Sequence, residues 1–127
     1  MTRSYRLVTA GIFGVRILNR RIVDEKFIDT GFCYVISIIS GKFKLSVLYA
    51  LAEFGAVRFK ALQRYIGKIS VKTLSSVLKE LEADGLVHRE DFHELPFRVE
   101  YSLTECAKSL IPLLDELCEW GERNRPI

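Results

Sequence analysis

Polar and apolar positions alternate with a helical period from Ser70 onward. Leu74, Val77, Leu78 and Leu81 recur three and four apart and share one face, while Lys72, Ser76, Lys79 and Ala83 fall opposite, with Ser75 at the edge. Ser70 is placed to cap the first turn, and Gly85 to end the helix, so the pattern predicts a helix over 70–84. The period then drops to two, imperfectly in LVHRED (86–91) and cleanly in FRVEYSL (97–103), where Val99, Tyr101 and Leu103 point one way. Between these strands FHELP (92–96) reads as a turn, with Pro96 unable to pair.

Upstream, residues 31–41 form an apolar stretch read as a first short helix closed by Gly41. Lys42 to Phe54 is a second helix, with Phe43, Val47, Leu48 and Leu51 as its core face. Arg58 to Ile66 is a third, with Phe59, Leu62 and Ile66 inward and Arg58, Lys60 and Arg64 outward. Downstream, Thr104 caps a long helix to about Glu122, in which Pro112 should make a bend. Its apolar arc (Cys106, Ala107, Leu110, Ile111, Leu113, Leu114, Leu117, Cys118, Trp120) is wider than packing on one small domain needs. The surplus predicts a second copy of the same helix around a two-fold axis.

The elements imply a mainly α fold with a small antiparallel β-hairpin (α+β): a winged helix-turn-helix with a long C-terminal dimerisation helix. Charge supports a partner for it. The net charge of +3 says little, but residues 42–79 hold eight basic side chains against one acidic, and residues 80–122 hold three basic against twelve acidic. A basic half on an otherwise neutral domain is the electrostatic footprint of a nucleic-acid face. The recognition helix would lie in the major groove, where Ser75 and Ser76 allow close approach and Lys72 and Lys79 supply charge. Lys42, Arg58, Lys60, Arg64, Lys68 and Ser70 would meet the flanking backbone, with Lys44 beside them. Arg98, at the tip of a wing over 92–98, would reach phosphate or the minor groove. The competing reading of Arg98 is a surface arginine paired with Glu94 or Glu100.

Four blocks carry a family resemblance: ISGKFKLSVLYAL (39–51), RFKALQR (58–64), ISVKTLSSVLKELEADGLV (69–87) and PFRVEYSLT (96–104). In order and spacing they resemble the HxlR family of bacterial and archaeal transcription regulators, over about residues 30–121. The resemblance implies a dimeric winged-helix protein on double-stranded operator DNA, some relatives of which respond to electrophiles or oxidants. Expected dimer contacts are Phe32, Val35, Ile36, Ile111, Leu114, Leu117, Cys118 and Trp120. In oxidant-sensing relatives a cysteine stands at the position of Thr30. Here Cys33 lies three residues further on, either a displaced sensor or a small buried apolar residue. Cys106 and Cys118 read as packing residues. Val77 is a second departure, an aliphatic where the family often has a long polar residue.

Other functions fit less well. The chain has no glycine-rich phosphate loop and no GxSxG, so no enzyme is expected. His88 and His93, with Asp91 and Glu94 near, lack a firm third ligand, and neither metal nor cofactor is expected. A winged helix used only for protein contacts is the main rival; its recognition face would be acidic or apolar, and here it is basic. Three cysteines without metal spacing fit a reducing cytoplasm, and no apolar run is long enough to span a membrane. Residues 1–29 read as a basic extension before a domain over 30–127; a signal peptide, or a natural start near Val23, are the alternatives. The operator, the sign of regulation and any small-molecule or oxidant effector are not specified by the sequence.

Overall fold

A computed structural model describes residues 30–127. The chain divides into two compact units, one ending at Ser37 and one spanning Ile38–Ile127. The basic extension expected over 1–29 lies outside the described residues.

The helix α1, Gly31–Ile39, straddles that division. Thr30 caps it, its Oγ1 accepting from the Cys33 N–H at 3.2 Å. Within the first unit the helix is not buried all round: Phe32 and Tyr34 are exposed.

The second unit is built on α2, Lys44–Phe54. Its start is two residues later than expected, because Phe43 takes the cap position. Val47, Leu48 and Leu51 are buried, and α2 touches the three helices that follow it and the central strand of the sheet. Burying each such side chain contributes about 2 kcal/mol.

Two residues that sequence periodicity passes over, Val57 and Arg58, form strand β1. They lead into α3, Phe59–Ile66, which Leu62 anchors in the core. The recognition helix α4 is Val71–Ala83, with Ser70 and Asp84 as its caps, in agreement with the predicted 70–84. Leu74, Leu78 and Leu81 are buried as expected, whereas Val77 is only half-buried. Its C-terminus closes by a paired motif: the Leu86 N–H donates to the Leu81 carbonyl at 2.9 Å and the Gly85 N–H to the Glu82 carbonyl at 3.1 Å. Gly85 has φ +77°, a conformation that side-chain-bearing residues resist.

Strands β2, Val87–Asp91, and β3, Val99–Leu103, make the wing. The expected hairpin is in fact part of a three-stranded antiparallel sheet in the order β1-β3-β2. Val57 lies opposite Tyr101, and Arg58 opposite Glu100. A two-residue strand has too few positions to show a period of two, which is why it escapes pattern reading.

Thr104 caps the last helix α5, Glu105–Asn124, accepting from the Ala107 N–H at 3.2 Å while its hydroxyl donates to the Gly85 carbonyl at 2.7 Å. One side chain therefore ties the start of α5 to the end of α4. The helix runs unbroken through Pro112 and ends two residues beyond expectation. Among the described residues no single helix is long and apolar enough to cross a membrane.

Candidate nucleic-acid interface

The helix-turn-helix is α3, the turn 67–70 and α4. Gln63 Nε2 donates to the Ile69 carbonyl at 3.0 Å, fixing the turn, and buried Ile69 pins it to the core. Ser70 then starts α4: its Oγ accepts from the Thr73 N–H at 3.1 Å and donates to Thr73 Oγ1 at 3.0 Å. The Ser70 hydroxyl is thus committed to the cap.

With Leu74, Leu78 and Leu81 held inward, the opposite face of α4 is outward by geometry. Lys72, Ser76 and Lys79 are exposed and Ser75 is half-buried at the edge. Lys60, Arg64 and Lys68, from α3 and the turn, are exposed as well. So is Arg58, at the cap of α3, and so is Lys42 ahead of α2, its ammonium 5.2 Å from the Phe43 ring centroid. Among the described residues none of these cations forms an ion pair with a carboxylate. Toward the C-terminus the opposite holds for Arg98, Lys108 and Arg125, each of which faces one. Arg89 and Arg123, also exposed, face no carboxylate among the described residues either, so most but not all of the unpaired positive charge lies on and beside the helix-turn-helix.

Two sequence expectations need correction here. Lys44 does not add to the exposed basic face. It is the buried charged residue of the described core, 8% exposed, and its Nζ lies 3.2 Å from Glu80 Oε1. Arg98 does not stand at the wing tip. Its guanidinium lies 3.7 Å from the Phe92 ring centroid, with Nη1 3.6 Å from Glu94 Oε1 and Nε 3.5 Å from Glu100 Oε2. That Nε is buried without a hydrogen bond, so the contact is electrostatic and loose. The large apolar residues that the wing exposes are Leu95 and Phe97, 93% and 70% exposed. His93 adopts φ +52°, its N–H donating to Asp91 Oδ1 at 2.9 Å. His88 Nε2 meets Glu90 Oε1 at 2.8 Å. No group of three or more potential metal ligands gathers among the described residues.

The apolar arc of α5 divides. Ala107 and Leu114 are buried in the core, so Leu114 is a packing residue and not the subunit contact expected of it. Leu110 and Ile111 are half-buried. Leu113, Leu117 and Trp120 stand exposed and line a shallow depression with Glu116, Glu119 and Arg123. Cys106 and Cys118 are also exposed, contrary to the packing role expected of them, and Cys33 is partly exposed. In α1, Phe32 and Ile36 are exposed and Val35 is half-buried.

Comparison with known proteins fits this geometry. Residues 38–127 match the model of the HxlR-like helix-turn-helix. The chain belongs to the HxlR family. An uncharacterized HTH-type transcriptional regulator of Halalkalibacterium halodurans is 57% identical over 97 residues, covering 76% of this chain and 86% of that protein. Among solved structures, the redox regulator HypR in its oxidized form has a TM-score of 0.67 at 40% identity, covering 77% of this chain and 100% of that one. The reduced form of the transcriptional regulator YodB from Bacillus subtilis has a TM-score of 0.67 at 30% identity, covering 72% and 89%. This HxlR protein is a DNA-binding transcriptional regulator with a winged helix-turn-helix fold.

Proposed function

We propose that the protein is a repressor that binds a palindromic operator as a homodimer, with α4 in the major groove. The observation that carries this reading is the outward face of α4, where Lys72, Ser75, Ser76 and Lys79 lie over a fully buried leucine stripe. Small hydroxyls and flexible ammonium groups on a rigidly held helix suit base edges and phosphate. Lys42, Arg58, Lys60, Arg64 and Lys68 serve the flanking phosphates. Ser70 contributes by fixing where α4 begins. The wing, 92–98, lies along the backbone or minor groove, and Arg98 braces it through Phe92, Glu94 and Glu100 without itself reaching phosphate. Two copies of α4 held about one turn of DNA apart would read the two half-sites. The subunit contact is assigned to Ile111, Leu117, Cys118 and Trp120 of α5; α1 offers Phe32, Val35 and Ile36. Replacing Lys72 and Lys79 together by Glu abolishes binding to operator DNA without loss of helicity. Binding at parental affinity by that variant would refute the assignment.

A second reading, thiol sensing through Cys33, is favoured by one observation: the thiol is partly exposed at the start of a capped helix. A redox regulator stands among the similar structures. If Cys33 senses oxidants, diamide releases DNA from the parent protein but not from Cys33→Ser; equal release from both would remove the sensor.

A further inference from the structure

Lys44 is the one charged side chain that the described core encloses. Its methylene stem runs beside Gly41, where an added Cβ would lie 3.6 Å from its Cγ and Cδ. That path carries the ammonium from the start of α2 to Glu80 on α4, at 3.2 Å. The two partners differ in setting: the Lys44 side chain is 10% exposed and that of Glu80 is 59% exposed.

Glu80 follows Lys79 directly and lies one helical turn beyond Ser76, on the same flank. It is therefore on the rim of the face assigned to DNA. It is also the first acidic residue after a segment, 54–79, that contains none. An uncompensated carboxylate there would oppose the nearest phosphates, and like charges brought together at an interface weaken it. The ammonium that could cancel it from the solvent side would have to compete with DNA for space. Lys44 cancels it from beneath, with no part of its own side chain needed on the DNA side.

We propose that Lys44 is a positioning residue for DNA binding: it acts through Glu80, neutralising the rim of the recognition helix from inside the fold. This rests on the assignment of α4 to DNA. The role is distinct from a phosphate contact, because burial withholds the ammonium from the ligand. It is also distinct from a folding requirement. Met fills a volume close to that of Lys, and the large cost of removing one partner of an ion pair arises where the other charge is left buried and unpaired. Glu80, being more than half exposed, stays hydrated when its partner is removed.

The test is a double-mutant cycle on the full chain, read by anisotropy on a short mixed-sequence duplex, since the charge effect is independent of sequence. Lys44→Met is expected to bind roughly three- to tenfold more weakly, the size of one unscreened like charge near phosphate. Lys44→Met with Glu80→Gln is expected to return within about twofold of the parent and to keep its salt slope, because neither residue touches phosphate. Thermal melts confirm that each variant is folded. A double variant as weak as Lys44→Met would overturn the proposal, and a salt slope lower by about one would then mark Lys44 as a direct phosphate contact. Unchanged binding by Lys44→Met would overturn it too. A Lys72→Glu, Lys79→Glu control run alongside separates the two levels when the cycle fails: a control that binds like the parent means that the assignment of α4 has failed, and a control that does not bind means that only the role of Lys44 has.

Discussion

Tyr49 joins α2 to α5 through one hydrogen bond, which its hydroxyl donates to Asp115 Oδ1 at 3.1 Å. Its phenol is pushed up from 10.0 to about 12, first by burial and then by that bond and the negative charge of Asp115. Below pH 10 both the folded and the unfolded chain keep the proton, and the contribution of the bond is complete. As pH rises from 10 to about 12 the unfolded chain ionises first, so this part of the stability is lost. Tyrosinate absorbance of the folded protein is expected to include one residue titrating late, and Tyr49→Phe to remove it. Because the bond is solvent-exposed, that variant should cost less than about 1 kcal/mol in urea unfolding at neutral pH. Single residues are also where the sequence is hardest to read. The stripe of Leu74, Leu78 and Leu81 and the caps Ser70 and Thr104 are fixed by local spacing, and they were legible. The fates of Lys44 and Arg98 depend on Glu80, Glu94, Glu100 and Phe92. For Arg98 the sequence leaves pairing with Glu94 or Glu100 open as one of two readings, and that reading holds; for Lys44 nothing in spacing points to Glu80 on another helix.

At the scale of elements, the recognition helix owes its limits to its two ends. Gly85 has φ +77° and open space around an added Cβ, so Gly85→Ala is strained by its backbone alone. A cost of roughly 1–2 kcal/mol is expected, checked by urea unfolding; no loss would mean that the cap does not fix the helix end. The longer helices and strand β3 were legible because each repeats its period; α1 and β2 were read from an apolar run and from the turn residues beside them. Strand β1 was not, since Val57 and Arg58 become a strand only by lying against Tyr101 and Glu100. The width of the α5 arc was legible too, but its division was not: Leu114 turns into the core, while Leu117 and Trp120 remain 64% and 61% exposed. If α5 holds the dimer, Trp120→Glu sediments as a monomer at concentrations where the parent is dimeric. A dimer that survives the change places the contact elsewhere.

On the scale of the whole molecule, one polarity organises the second unit. Cations from α3, the turn and α4 that face no carboxylate among the described residues gather in the first half, and carboxylates fill the second. The family membership and this polarity agree on a DNA-binding regulator, and both were legible, because charge counts and motif spacing survive without knowledge of side-chain contacts. The measurement that tests the account most directly is an anisotropy titration of the protein against DNA from upstream of its own gene, with scrambled DNA as competitor, over a salt series. Tight, competitor-resistant binding is expected, with a log–log salt slope of several units from the phosphate contacts of the basic face. Binding that scrambled DNA matches, with a slope near zero, would contradict it.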